Sequence, residues 1–255
     1  MKHVIENYTA ESGVRKLKEI LFEIVGEINL DILKNFNTSY EIPIEITIDS
    51  IKTKYFKDKH ELKIQKIHSE NKVGIINGLW ANALGMGGII PIQAKWRPGD
   101  KTLSLNLTGT QGDVMKESMS VALTLAYSLT PKHVQETIQS GVHIHCPDGS
   151  TPKDGPSAGA AITTTIYSLF NNMKIKNNIA ITGEITLSGN ITAIGGLDLK
   201  FLGGIKAGVK TFLFPKENEK DYNTFMEKYK DDEITKDIIF ISVEDIHDVL
   251  SKVFE

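Results

Sequence analysis

The chain has 255 residues, 40% of them hydrophobic and 24% charged, which allows one large domain or two small ones and excludes a disordered or fibrous chain. Lys plus Arg total 29 and Asp plus Glu total 32, a net charge of −3, so the charge balance gives no reason to expect nucleic acid as a partner. No apolar run reaches the ~18 residues of a membrane span, the opening MKHVIENYTAESGVRK lacks the apolar core of a secretory signal, and the single cysteine, Cys146, has no partner for an internal disulfide. The expectation is a cytoplasmic protein with no membrane partner.

Residues 11–36 set Val14, Leu17, Ile20, Leu21, Ile24, Val25, Ile28, Ile32 and Leu33 at spacings of three and four. That pattern predicts an amphipathic helix with a broad apolar face, and Thr9 is its expected cap. EIPIEITI (41–48) is short and β-branched, and a short helix is expected from Asp49 to Phe56. The charged stretch KDKHELKIQKIHSE (57–70) marks a change of character. We expect a small, mainly helical subdomain over 1–60, a linker over 61–70 and the main domain over 71–255.

In the main domain NKVGIINGLWA, GGIIPIQAKW and KTLSLNLTG predict three strands separated by Gly or Pro–Gly turns. Residues 113–130 have helical periodicity, and Pro131 ends it. GVHIHCPDG (141–149) predicts a strand running into a turn, and 155–170 a buried helix opened by Pro156. Residues 178–196 predict strands with a turn at Ser188–Asn190. A helix is expected over 198–207, then a strand at TFLFP, a helix over ENEKDYNTFMEKY, a strand at IIFISV and a final helix at EDIHDVLSKVF. The alternation gives an α/β or α+β class.

The most informative string is T-P-K-D-G-P-S-A-G, residues 151–159. Ser157 follows a proline suited to the first helical position, so unbonded amides and the positive end of a helix dipole lie beside it and could stabilise an oxyanion. The alternative is a plain loop with a helix start. A nucleophilic serine needs a base. His143 and His145 alternate on one strand and share a face. With Cys146 and Asp148 they could also form a metal cluster, although no distant second ligand group and no H-E-x-x-H accompanies them, and a hydrogen-bonding role fits them better. Lysine is a base only when desolvated. Lys200, in I-G-G-L-D-L-K-F-L-G-G, has the apolar surroundings and the glycines for that; its alternative is a snorkelling surface lysine. G203-G-I-K-A-G208-V-K-T211 imitates a phosphate loop, but Val209 intrudes and the order is helix to strand, so no nucleotide loop is expected.

Together VGIINGLWA, TGTQGDVMKES, HIHCPDGSTPKDGPSAG, TGEITLSGNITAIGGL and DLKFLGGIKAGVKTFLFP resemble the Lon family of ATP-dependent proteases, from about Asn71 to the end. The resemblance implies Ser157 as nucleophile and Lys200 as its base, a Lon-type proteolytic fold, and a serine endopeptidase acting on unfolded or damaged proteins within a homo-hexameric ring. It matches Thr182 to the residue that hydrogen-bonds the lysine and Asp154 to the acidic residue before the nucleophile. Gly155 and Ala158 flank the serine where amides could reach an oxyanion. Asp198 and Leu199 depart from a charged pair common in the family, and Cys146 from an aliphatic residue. NYTAESGVRKLKEIL resembles the helical lid of the family's ATPase module, with Arg15 as a nucleotide sensor. The family uses ATP and Mg through a module that these residues do not contain, so no cofactor or metal is expected here. Two rivals stand beside this reading: a protease-like ring that does not cut, and a metal-dependent hydrolase centred on His143, His145 and Cys146.

Overall fold

The computed structural model describes all residues except 10, 12, 36–42, 62, 63, 100 and 148–153. The chain divides into two compact units, residues 1–63 with 83–86, and residues 64–82 with 87–255.

In the first unit a turn at Lys2–Val4 (α1) runs into a π-helical turn at Ile5–Thr9. The 20-residue helix Arg15–Lys34 (α2) follows, then a turn at Ile48–Ser50 (α3) that continues through Ile51–Tyr55. Helix α2 buries Leu17, Ile20 and Ile24 against Val4, Ile51 and Phe56. Its apolar face is broader than that cluster, and Val14, Phe22 and Leu33 stay exposed. The cap is not Thr9, whose hydroxyl donates back to the Ile5 carbonyl. Glu11 takes that part: its carboxylate accepts from the amides of Lys16 and Leu17, both at 2.9 Å. A full negative charge thereby meets the positive end of α2, and those bonds hold the Glu11 carboxyl below its usual range. After Pro43 the described residues up to Thr47 are irregular. Thr47 then caps α3 by accepting from Ser50 N at 3.1 Å.

The second unit is built on strands Lys72–Val73 (β1), Ile75–Ala81 (β2), Gly87–Arg97 (β3), Leu105–Thr108 (β4) and Gly141–His145 (β5). Further on come Lys174–Ile175 (β6), Ile179–Ile181 (β7), Glu184–Ile185 (β8), Ile191–Thr192 (β9), Thr211–Pro215 (β10) and Ile239–Val243 (β11). Its helices are Asp113–Leu129 (α4), Lys132–Gln135 (α5), Gly159–Asn171 (α6), Leu197–Ala207 (α7), Glu219–Tyr229 (α8) and Ile246–Val253 (α9). Seven strands form one mixed sheet in the order β11-β10-β7-β2-β3-β5-β4. From β11 to β2 neighbours run parallel; β3 is antiparallel to β2 and β5, and β4 is parallel to β5.

The period-2 alternation of side chains builds two cores. Ile76, Ile90, Ile92, Ile144, Ile181 and Leu213 point to one face, where α4, α6 and α9 cover them. Leu79, Ile89, Ala180, Phe212 and Phe214 point to the other, under α7 and α8. Pro91 sits within β3 opposite Asn77 of β2, at a position where β5 does not pair, so its missing N–H leaves no ladder bond unmade. No helix among the described residues is long and apolar enough to cross a membrane.

Candidate active site

Ser157 lies in a single 3₁₀ turn, Pro156–Ala158, that runs directly into α6. Gly155 before it has φ +120° and ψ 153°, a region open essentially to glycine alone, so the D-G-P-S order is a backbone requirement here. The turn is tied down by hydrogen bonds. Gly183 N donates to the Ser157 carbonyl at 2.8 Å, and Ala160 N donates to the Gly183 carbonyl at 3.1 Å. One side-chain oxygen of Asp154 accepts from Met115 N at 3.0 Å and from Gly155 N at 2.9 Å. Asp154 thus closes the start of α4, and Gly112 leaves room for its carboxylate: a Cβ there would stand 2.3 Å from the Asp154 carboxyl carbon. Ser157 is half-buried; Ala158 is buried.

Lys200 arrives from the opposite layer, on the first turn of α7, whose backbone lies almost against that of β3. A Cβ on Gly87 would stand 2.0 Å from the Leu199 oxygen, and one on Gly203 would stand 2.1 Å from the Gly87 carbonyl carbon. Only glycines permit that approach. The neighbouring Phe201 is fully buried and meets Phe212, Phe214, Phe225 and Phe240 at ring separations of 4.8–5.5 Å. Lys200 has 3% of its surface exposed, so it does not snorkel. Burial alone lowers its ammonium pKa from 10.5 to about 8, because an apolar surround penalises the charged form.

The two elements meet at the carboxyl end of β7. Lys200 Nζ donates to Thr182 Oγ1 at 3.1 Å, and Thr182 Oγ1 donates to the Ser157 carbonyl at 3.2 Å. Ser157 enters this chain through its carbonyl rather than its hydroxyl. Thr182 itself is fully buried and fixed by its amide on the Leu213 carbonyl of β10 at 3.1 Å. Of the residues singled out from sequence, Ser157, Lys200 and Thr182 are therefore joined, with Asp154, Gly155 and Ala158 around the serine. The Gly155 amide is already bonded to Asp154.

Arg15 opens α2 in the first unit, exposed and paired with Glu19 at 3.3 Å. His143 and His145 do share a face, and both rings meet the hydroxyl of Thr108, at 2.9 Å from Nε2 and 2.7 Å from Nδ1. Cys146 is fully buried, and Asp148 lies outside the described residues. Sequence reading missed Asn218. It is 3% exposed and grips the connector that leads into α7: Nδ2 donates to the Ile194 carbonyl at 2.8 Å, and Oδ1 accepts from Ile194 N at 2.9 Å. The available signal was an asparagine at a helix start in P-K-E-N-E, which reads only as a local cap.

A desolvated lysine one hydroxyl away from a serine-bearing helix start is the make-up of a nucleophilic hydrolase. Comparison with known proteins makes the class definite. Residues 46–255 match the family described as the Lon protease (S16) C-terminal proteolytic domain. The chain is 37% identical over 87% of its length to the Lon protease of Clostridium acetobutylicum, and 34% identical over all of it to that of Methanosarcina barkeri. It is 36% identical over 89% of its length to a Lon protease homolog of Acanthamoeba polyphaga mimivirus. This chain therefore belongs to the Lon protease family of peptidases. It spans about 30% of the length of these relatives, which it covers to 28%, 30% and 28% respectively.

Proposed function

We propose that the domain is a serine endopeptidase working through a Ser157–Lys200 dyad. The observation that carries this is the lysine amine buried beside Thr182, with its pKa lowered to about 8. At neutral pH a useful fraction of that amine is unprotonated, which no ordinary surface lysine offers. The neutral amine takes the Ser157 hydroxyl proton as Oγ attacks the peptide carbonyl. The resulting ammonium returns that proton to the departing amine, leaving an acyl-enzyme. Water, losing its proton to the same amine, then releases the second product. Thr182 holds the amine at one fixed distance. Ala158 N, among the first amides of the helix start, supplies the oxyanion donor. Attack needs the serine side chain turned toward Nζ, a contact of the kind that tightens on substrate binding.

The same reading covers the rest of the assembly. Residues 1–60 act as the helical lid of an ATPase module with Arg15 sensing nucleotide, 61–70 as linker, and 71–255 as the protease. Homo-hexameric rings in the cytoplasm degrade unfolded or damaged proteins, with ATP and Mg handled by the ATPase module. The dyad is tested by Ser157→Ala and Lys200→Ala, each expected to lower cleavage of an unstructured protein by at least ~10³-fold, the double variant losing no more than either single. Turnover persisting in either folded variant would remove that residue from the mechanism.

A further inference from the structure

Resting on the dyad reading, we infer that Asn218, seconded by Glu217, is a positioning residue that holds the connector into α7 and thereby keeps Lys200 in its dry site. Strand β9 ends at Thr192, and α7 begins at Leu197. Between them run Ala193, Ile194, Gly195 and Gly196. The two glycines have no side chains to anchor, and both lie exposed. The grip falls on the two residues before them. Asn218 binds both backbone groups of Ile194, at 2.8 and 2.9 Å, and the Glu217 carboxylate accepts from Ala193 N at 2.8 Å. Beyond the glycines, Lys200 N bonds to the Gly196 carbonyl at 3.0 Å. The clamp on Ile194 is thus six residues from Lys200 and two from Gly196, its backbone anchor.

The geometry of Asn218 shows where its capacity is directed. It occupies the N-cap position of α8, where asparagine ordinarily accepts from its own helix. Here the side chain makes no such cap. It is turned onto the connector 24 residues upstream and is oriented by Asp221, whose Oδ2 accepts from Nδ2 at 2.7 Å. A local cap has been given up for a distant contact, and that contact is the last hold on the backbone before the glycine pair. The body of α7 is seated by packing at Gly203 and Phe201, and its first turn rests on Gly87 through the Leu199 oxygen, so freeing the clamp leaves the helix in place and removes the first turn's second hold, the one from the connector. Water then reaches Nζ. Among charged groups, Asp154 beside the serine, Glu184 after Thr182 and Asp198 on α7 itself have no share in the lowered pKa of Lys200, which comes from burial alone. Solvation of the amine is therefore what the clamp controls.

The test is the pH profile of kcat/KM on an unstructured protein substrate for Asn218→Ala and Glu217→Ala, with Lys200→Ala alongside. In the unsubstituted protein activity should rise through a midpoint near the lysine value of about 8. In Asn218→Ala the midpoint should move up by about one pH unit, which lowers activity at pH 7 about tenfold and restores it to within about twofold by pH 10. Glu217 is exposed, so Glu217→Ala keeps the core intact and should shift the midpoint the same way by less. Loss by a constant factor at every pH, or an unmoved midpoint, in whichever of the two variants folds would overturn the inference. With Lys200→Ala inactive, that result leaves the dyad standing. Cleavage surviving Lys200→Ala would bring down the dyad and this inference together.

Discussion

The 3₁₀ turn that carries Ser157 into α6 and the helix that carries Lys200 are held by different forces. The start of α6 is tethered by hydrogen bonds: Gly183 N to the Ser157 carbonyl, Ala160 N to the Gly183 carbonyl, and Met115 N to Asp154. Its serine stays half-buried. Helix α7 is seated by contact, with Gly87 and Gly203 backbone to backbone and Phe201 among four aromatic rings. Its lysine is dry. Hydrogen bonds fix a direction while leaving room for a substrate, whereas close packing removes water, and it is the removal of water that lowers a lysine pKa. The proposed dyad asks for access at the nucleophile and desolvation at its base, and the two layers differ in that sense.

The contrast breaks most severely at the packed helix. Gly203→Ala puts a methyl group 2.1 Å from the Gly87 carbonyl carbon, and neither partner is a flexible side chain that can yield. We expect a loss of stability of at least about 3 kcal/mol, the upper end of what overpacking costs, because the clash falls on backbone, and cleavage reduced along with it. Urea unfolding of the purified variant measures this directly. A loss under about 1 kcal/mol would show that α7 is free to shift off β3.

The next effect in size has the opposite sign. Below pH 8 both folded and unfolded chains carry the Lys200 proton, so folding bears the full cost of a buried ammonium. Between about 8 and 10.5 the folded state has lost that proton and the unfolded state still holds it, so stability rises with pH across this window. Above 10.5 both are neutral and the penalty is gone. Lys200→Met should therefore be the more stable protein at pH 7, by on the order of 3 kcal/mol, with the advantage fading by pH 10.5, while the proposed mechanism expects it to be inactive. Thermal melts of the two proteins at pH 7 and pH 10 decide it. A methionine variant less stable at pH 7 would mean that water reaches the amine.

Much of this was legible in the sequence. Apolar periods of two and three to four residues gave the strands of the central sheet and the helices α4, α6, α7, α8 and α9 within a few residues, because those elements bury one side against a common core. Lys200 stood out because glycines and large apolar residues surround it, the composition of a tight, dry contact. What stayed hidden depends on partners distant in sequence or on very short pairings. Strand β6 is two residues long and exists through β1, about 100 residues away. Glu11 caps α2 from five and six residues ahead of its partners, beyond the spacing at which a cap shows in sequence. Asn218 reads as a local cap and is used for Ile194. The broad apolar face read on 11–36 was correct as a pattern, but a unit of this size covers only the side at Leu17, Ile20 and Ile24.

The smallest expected effect lies in the first unit, and it separates chemistry from regulation. Arg15 is exposed on the first turn of α2, and its visible partner is Glu19 one turn along the same helix. A surface pair of this kind contributes roughly 0.3–0.5 kcal/mol, too little to affect folding. As a sensor it has meaning only beside bound nucleotide, which requires phosphate-cradling amides and magnesium ligands that this sequence does not spell. On the proposed mechanism, peptide bond cleavage needs Ser157, Lys200 and their buried support in the second unit. Arg15→Ala should therefore cleave a short peptide at the same rate as the unsubstituted chain, with or without ATP, and melt within about 1–2 °C of it. As 255-residue chains, both proteins should degrade a disordered substrate and spare a tightly folded one, since unfolding that substrate takes about 5–15 kcal/mol and these residues spell no nucleotide loop to drive it. Parallel digests of a flexible and a stable protein, each with and without ATP, measure all of this at once. ATP-stimulated loss of the stable protein, abolished by Arg15→Ala, would place a working nucleotide site in these 255 residues and end the division of labour between the two units.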